Sequence, residues 1–214
     1  MDSETAFSFN ESTQTSAHDS TKEKILFTSI HLFAQYGFNE VSMRSIAEEV
    51  GIKASSIYNH FESKQAILDA IYQFYDMQWN AAAPDIDELL RKAGTDPPNE
   101  VIASTLFDWS SPELQLIMNR IYLIATREAL VDPNSVDLIK AMVMDRIKQI
   151  PRLLLERMME LGRIEPVDIE AFVTILAHVS HSSTSLNHTS LRIDLETWIR
   201  CWTMLMSLIK PTGK

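Results

Sequence analysis

The side chains with the clearest chemical potential lie together in residues 50–64, which read V-G-I-K-A-S-S-I-Y-N-H-F-E-S-K. Lys53 can donate hydrogen bonds to guanine acceptors or to phosphate, and Ala54 can contact a thymine methyl group. Asn59 can pair bidentately with adenine if its side chain faces the groove, whereas the serine hydroxyls discriminate weakly among bases. These residue types raise the question of whether the segment reads nucleic acid.

The charge of the chain argues against simple attraction to DNA, which is a polyanion. The 214 residues carry a formal net charge of −10, and the segment above holds only two basic side chains. The charge is unevenly distributed, because residues 1–20 carry −4, residues 21–68 balance five basic against five acidic groups, and residues 69–214 carry −6. An anion-binding surface is therefore expected within residues 21–68.

Signals that start and stop helices surround this segment. Ser42 can cap a short helix, M-R-S-I-A-E-E-V, and Gly51 ends it by adopting a backbone conformation that a Cβ atom would penalise. A second short helix is expected over roughly 54–60, with Ile57 and Phe61 as its apolar anchors. Two short helices joined at a tight glycine turn form the helix-turn-helix arrangement.

Two longer helices are expected on either side of this motif. The first begins at Ser20, which has capping-box spacing with Glu23, and ends at Gly37. Its apolar face comprises Leu26, Ile30, Phe33 and Ala34. The second is capped by Ser63 and runs toward Pro84 with Ile67, Leu68, Ile71, Phe74 and Tyr75.

Beyond Pro84 every segment reads as a helix, and none alternates with the period of two that is typical of a strand. Helices are expected over 85–92 and 99–109, from Ser111-Pro112-Glu113 to about Val131, from Asn134 to near Gly162, and over 166–185 and 194–209, with a loop at Gly94 and Pro97-Pro98. The sequence therefore predicts an all-α fold.

From Ile25 through Leu68 the chain resembles the DNA-binding region of TetR-type transcriptional regulators. The motifs that carry the resemblance are Ala34-x-x-Gly37 with Phe38, then V-S-M-R-S-I-A-E-E-V-G-I, then I-Y-N-H-F-E-S-K-Q-A-I-L. They cover about a fifth of the chain. The rest matches the family in length and helical texture.

The resemblance implies a homodimer that reads a palindromic double-stranded operator and is released from it by a small-molecule effector, as a repressor would be. It divides the chain after residue 19 into a helix-turn-helix domain over 20–66 and a ligand-binding and dimerisation domain over 67–214. Residues 1–19 are expected to be a disordered tail, because this part of the chain is rich in Ser, Thr, Asn and acidic residues and shows no apolar periodicity. A cytoplasmic location is expected from the single cysteine and from the absence of a signal peptide or an apolar run long enough to span a membrane.

The resemblance also assigns roles to individual residues. Tyr58, His60 and Lys64 are expected to hold phosphates, and Ser42 and Arg44 to contact the flanking strand. The residues expected against base edges are Lys53, Ala54, Ser55, Ser56 and Asn59. The family frequently has a basic residue followed by a small one where this chain has Ala54-Ser55.

Simpler interpretations of some of these residues stay open. Ser42 and Ser63 can serve as helix caps alone, and Tyr58 can be a packing residue. Glu48, Glu49 and Glu62 are expected on a solvated face directed away from DNA. A protein that keeps this fold without binding DNA is a further alternative.

Two sets of residues are expected to act in the C-terminal half. Those expected to line an effector cavity are Trp109, Met118, Asn119, Tyr122, Arg127, Phe172 and His178. The apolar face of the last helix is too broad for one small core, and the resemblance implies a four-helix dimer interface. Its expected residues are Phe172, Ile175, Val179, Trp198, Ile199, Trp202, Leu205 and Met206, and burial within a single chain is the alternative.

Metal and enzyme chemistry find less support in the sequence. His178, His181 and His188 have spacing suited to a shared helix face, but no cysteine accompanies them. No histidine follows a Glu at Glu-x-x-His spacing, so a di-iron bundle is not expected. The chain also lacks a G-x-S-x-G elbow and the glycine-rich phosphate loops. No metal, no cofactor and no enzyme activity are therefore expected.

Overall fold

A computed structural model describes residues 17–107, 112–131, 145–185 and 195–212, together with residues 136 and 140. Its α-helices are α1 (Ala17–Tyr36), α2 (Met43–Val50), α3 (Lys64–Ala81), α4 (Ile86–Thr95), α5 (Pro98–Phe107), α6 (Pro112–Ala129), α7 (Arg146–Glu160), α8 (Ile169–Ser185) and α9 (Leu195–Met206). A 3₁₀ helix (Ile57–Asn59) precedes α3. Apart from one isolated bridge between Ile164 and Pro211, the regular structure in these ranges is helical, which confirms the all-α prediction.

Several helix boundaries differ from those predicted. Helix α1 begins at Ala17, three residues before Ser20, so the predicted capping box at Ser20 and Glu23 is wrong. Helix α4 continues through Gly94, which was predicted to lie in a loop. The predicted starts at Ser111 and Asn134, and the tail up to residue 16, lie outside the described residues.

The first hydrophobic core joins the N-terminal helices to α6. Its buried residues include Ile25 and Phe33 of α1, Ile46 of α2 and Ile71 of α3, and it continues without a break to Ile121 of α6. Phenylalanine rings of α1 pack edge-to-face against α3 and against the loop that follows α1. The ring centroids are 5.4 Å apart for Phe27 and Phe74 and 5.2 Å apart for Phe33 and Phe38. The helix-turn-helix segment is thus mounted on α6 as well as on its own helices.

The second core lies between α4, α5, α7, α8 and α9. Its fully buried members include Ile102, Leu154, Met158, Phe172 and Leu176. Aspartate side chains cap the starts of α4 and α8. Asp85 accepts a hydrogen bond from Glu88 N at 3.1 Å, and Asp168 accepts one from Ala171 N at 3.0 Å. In the described part of the chain no helix is both long and apolar enough to cross a membrane.

Candidate nucleic-acid interface

The first short helix, α2, begins at a reciprocal serine cap. Ser42 Oγ accepts a hydrogen bond from Ser45 N at 3.0 Å, and Ser45 Oγ accepts one from Ser42 N at the same distance. The predicted cap is thus present, with a serine in the position where a capping box usually has Glu or Gln. Ile46 and Ala47 are fully buried, so the opposite face of α2 with Ser42 and Arg44 is turned to solvent.

Gly51 makes the turn that follows α2. Its φ of +80° lies in the left-handed region, and Ile52 N donates to Ala47 O at 2.9 Å across the turn. The next residues were predicted to form an α-helix over 54–60. They form a turn followed by the 3₁₀ helix, with Ser56 N donating to Lys53 O at 2.8 Å and His60 N donating to Ile57 O at 3.0 Å.

The side chains of this segment divide into an inner and an outer set. Ile57 is fully buried and Phe61 nearly so, which fixes the segment against the first core. Lys53, Ala54, Ser55, Tyr58 and Asn59 are exposed, while Ser56 and His60 are half-buried. Tyr58 is 55 % exposed, which leaves its hydroxyl-bearing side chain accessible, and its role as a phosphate contact stays a prediction. The residues predicted to read bases therefore share one short, solvent-facing segment.

Arg44 and Lys64 are basic residues beside this segment, and they differ in how strongly other groups of the chain bind them. Arg44 Nε lies 2.9 Å from Glu48 Oε1, but both side chains are well exposed, and such a pair contributes little to stability. Arg44 is therefore available to another anion. Glu48 was expected to point away from the contact residues, whereas this ion pair places it beside Arg44.

Lys64 has neighbours that the sequence did not indicate. Its Nζ donates to the carbonyl oxygens of Phe38 at 2.6 Å and Val41 at 2.8 Å. These contacts compete with the predicted role of Lys64 as a phosphate clamp. Sequence reasoning also missed Lys22 of α1, whose Nζ lies 5.4 Å from the centroid of the Phe61 ring and adds positive charge beside this segment.

The residues predicted to line an effector cavity lie in several different surroundings, and their binding role stays a prediction. Tyr122 lies in the first core and Phe172 in the second. Asn119 accepts a hydrogen bond from Gln115 on the same helix, and Arg127 donates from Nη1 to Ala34 O of α1 at 2.6 Å. His178 is exposed, with Nδ1 2.7 Å from Thr174 O, Met118 is half-buried against the first core, and Trp109 lies outside the described residues.

The predicted dimer residues are also divided between core and surface. Phe172, Leu205 and Met206 are buried within their own chain, so they cannot form an external face. Ile175 and Ile199 are exposed, whereas Val179, Trp198 and Trp202 are half-buried. The rings of Trp198 and Trp202 stack with centroids 5.7 Å apart. Met204 and Leu208 are further exposed apolar residues near the C-terminus.

In the described ranges, no group of three or more His, Cys, Asp or Glu side chains is arranged to hold a metal ion. His188 lies outside those ranges. An open groove between α4 and α7 is lined by charged residues and two leucines, none of which was predicted to bind a ligand. These residues are Leu90, Arg91, Leu153, Glu156, Arg157 and Glu160.

The capped α2, the Gly51 turn and the exposed segment after it define a helix-turn-helix domain joined to a larger helical body. Residues 25–71 match the family of bacterial regulatory proteins named after tetR. This match confirms the resemblance stated above for residues 25–71.

Similar proteins agree with this assignment. The uncharacterised HTH-type transcriptional regulator YerO of Bacillus subtilis is 39% identical over 82 residues, which are 38% of this chain and 27% of YerO. IcaR of Staphylococcus aureus, a negative regulator of the biofilm operon icaADBC, is 40% identical over 48 residues, 22% of this chain and 26% of IcaR. The chain thus spans about a quarter of the length of these curated relatives.

A solved structure extends the likeness of fold to the rest of the chain. A protein from Saccharomonospora viridis in complex with choline is similar with a TM-score of 0.60 and 21% identity, covering 88% of this chain and 95% of that protein. The likeness concerns the fold alone.

Proposed function

We propose that this chain is a DNA-binding transcriptional regulator, most simply a repressor that dimerises on a palindromic operator and is released by a small-molecule effector. The observation that carries the proposal is the exposed segment 53–59, fixed from below by buried Ile57 and Phe61 and placed directly after the α2–Gly51 turn. The family of residues 25–71 supports the same function.

The contact residues have distinct proposed tasks. Lys53, Ala54, Ser55, Ser56 and Asn59 meet base edges in the major groove, where such elements are read. Tyr58, His60, Ser42 and Arg44 meet phosphates, which fix the register without reading sequence. Because few cations are present, affinity depends on two half-sites held at a fixed spacing by the dimer.

Selection from a random double-stranded DNA library tests this proposal, with the purified chain as the binder. The expected product is a palindrome with two equivalent half-sites. A library that returns no enriched sequence at low salt, where phosphate contacts are strongest, would reject DNA binding.

Two exposed tyrosines provide a matched pair for the selected operator. Tyr58→Phe removes a proposed phosphate donor and is expected to weaken binding about threefold to tenfold on all sequences. Tyr36→Phe is the control, because Tyr36 is 57% exposed and lies at the end of α1 outside the proposed contact set. Equal effects of the two substitutions in fluorescence anisotropy would exclude a phosphate contact by Tyr58.

Repression and release by an effector are the less direct parts of the proposal. They are supported by the description of IcaR as a negative regulator and by the choline complex of a protein with this fold. A screen of small molecules for release of the labelled operator tests this part. A chain that binds operator but is released by no compound at any tested concentration would be a regulator of another kind.

Dimerisation is proposed through the exposed apolar residues of α8 and α9, chiefly Ile175 and Ile199. Ile199→Asp places a charge on that surface and is expected to convert a dimer into a monomer at micromolar concentration in light scattering. Leu153→Asp on α7 is the control, since Leu153 is an exposed apolar residue that lines the groove between α4 and α7. A dimer that survives Ile199→Asp would place the interface elsewhere.

A further inference from the structure

The ammonium group of Lys64 is enclosed by the loop between α1 and α2, residues 37–42. Nζ donates to Phe38 O at 2.6 Å and to Val41 O at 2.8 Å, with Asn39 O at 3.4 Å. It also lies 4.4 Å from the centroid of the Phe38 ring. An ammonium has three N–H donors, so these three carbonyl groups engage its full hydrogen-bonding capacity.

The loop that holds Lys64 leads directly into the cap of α2. Val41 is buried and immediately precedes Ser42, while Lys64 is the first residue of α3 and follows the cap Ser63. One side chain therefore joins the start of α2 to the start of α3, although 23 residues separate Lys64 from Val41. The Phe38 ring anchors the same loop in the first core by packing edge-on against Phe33.

Transfer of the ammonium to a phosphate would remove donors from these loop carbonyls. Hydrogen bonds to a charged group are stronger than neutral ones, so their loss has a substantial cost. The loop would also lose these contacts, and Ser42 and Arg44, which follow it, would no longer be held in place. The contacts of Lys64 within the chain and a contact with phosphate are thus in competition.

We infer that Lys64 is a positioning residue, which sets the spacing between the starts of α2 and α3 through the loop carbonyls. The inference rests on the proposed DNA-binding function, because this spacing is what presents Ser42 and Arg44 to the operator together with segment 53–59. This role differs from the predicted phosphate contact, for which only the charge of Lys64 would matter.

Two substitutions separate geometry from charge. Lys64→Arg keeps the charge, but the planar guanidinium directs its donors outward in a fixed fork and cannot converge on three carbonyl groups. Lys64→Met keeps an apolar stem and removes the donors. Both variants are expected to lose about tenfold or more in operator affinity. In the DNA-free protein, both are expected to show faster amide hydrogen exchange in residues 37–42.

Lys53→Met is the matched control, because Lys53 is an exposed lysine in the proposed reading segment. It is expected to weaken operator binding while leaving amide exchange in residues 37–42 unchanged. A Lys64→Arg variant with wild-type affinity, together with a Lys64→Met variant whose salt-dependence slope falls by about one, would identify a phosphate contact and overturn the inference. Unchanged amide exchange in both Lys64 variants would overturn it as well.

The wild-type chain gives a test that does not depend on the folding of a variant. In ¹⁵N NMR, the Lys64 ammonium is expected to show slowly exchanging protons in the free protein and to keep them when operator is added. Rapid exchange in the free protein, or a loss of the protected signal on DNA binding, would show that the carbonyls do not hold it. A wild-type chain that binds no DNA would reject the proposed function. The amide exchange of residues 37–42 would still decide whether Lys64 holds the loop, because that measurement is made without DNA.

Discussion

Replacement of Gly51 and of Gly94 by alanine is expected to change stability in opposite directions. Gly51 has a φ of +80°, and an alanine in this left-handed region costs about 1–2 kcal/mol. No atom lies within 4 Å of a Cβ built on Gly51, so the cost is conformational and not steric. Gly94 lies inside α4, where a Cβ would meet Leu161 Cδ1 at 3.7 Å, an ordinary contact. Alanine there is expected to stabilise the chain by about 0.5–1 kcal/mol.

Urea unfolding followed by circular dichroism measures both changes. The protein concentration is kept fixed, because the stability of the proposed dimer would depend on it. The free energies of unfolding of the two alanine variants are expected to differ by about 1.5–3 kcal/mol. Gly51→Asn should lose less than Gly51→Ala, since asparagine tolerates the left-handed region. Shifts of both alanine variants in the same direction, or an asparagine variant as unstable as the alanine one, would refute this reasoning.

Four further substitutions test the packing and chemistry around the motif. Ile57→Ala is expected to cost about 2–5 kcal/mol in urea unfolding because Ile57 is fully buried, whereas Ser55→Ala on the exposed side should stay within about 0.5 kcal/mol of wild type. Ser42→Ala removes the cap of α2 and should cost about 1 kcal/mol in the same assay. Burial raises the pKa of Tyr75 above its ordinary value of 10.0, so stability is retained below about pH 10 and is lost at higher pH, as the unfolded chain ionises first. Tyr75→Phe should reduce this alkaline loss in unfolding curves measured on either side of about pH 10, and an unchanged loss would assign it to other groups.

The local parts of the motif were predictable because their causes lie within a few residues. The cap by Ser42 needs only a hydroxyl at the start of an apolar pattern, and the turn at Gly51 needs only a residue without Cβ. Ser63 likewise accepts from Ala66 N, three residues ahead, at 3.0 Å. Apolar spacing also identified Ile57 and Phe61 as anchors, although it did not distinguish the 3₁₀ helix from an α-helix.

The parts that the sequence did not predict depend on groups distant in the chain. Helix α4 continues through Gly94 while Ala93 is buried in the second core, and Arg163 donates to Ala93 O at 3.0 Å and to Thr95 O at 3.3 Å. This arginine satisfies carbonyl groups at the end of the helix from 70 residues away, so the glycine alone misled the prediction. The carbonyl partners of Lys64 are backbone atoms, which leave no signature in side-chain types.

The surroundings of the predicted effector residues could not be read from the sequence for a related reason. Arg127 was chosen because it lies among apolar neighbours on a helix, but periodicity does not reveal which helix lies opposite. Its partner is the carbonyl oxygen of Ala34, 93 residues earlier. Tyr122 and Phe172 are likewise buried in different cores, which periodicity alone does not indicate.

The shared core of α1, α2, α3 and α6 limits how this chain can be rebuilt. A hybrid made by transplanting residues 20–66 onto another body would cut within α3 and leave Ile121 and its α6 neighbours facing a foreign surface. The donor segment would also leave behind Arg127, which donates to the end of α1. A workable exchange of the proposed operator specificity would therefore change the few exposed residues of segment 53–59 and keep the scaffold, or carry α6 along with the motif.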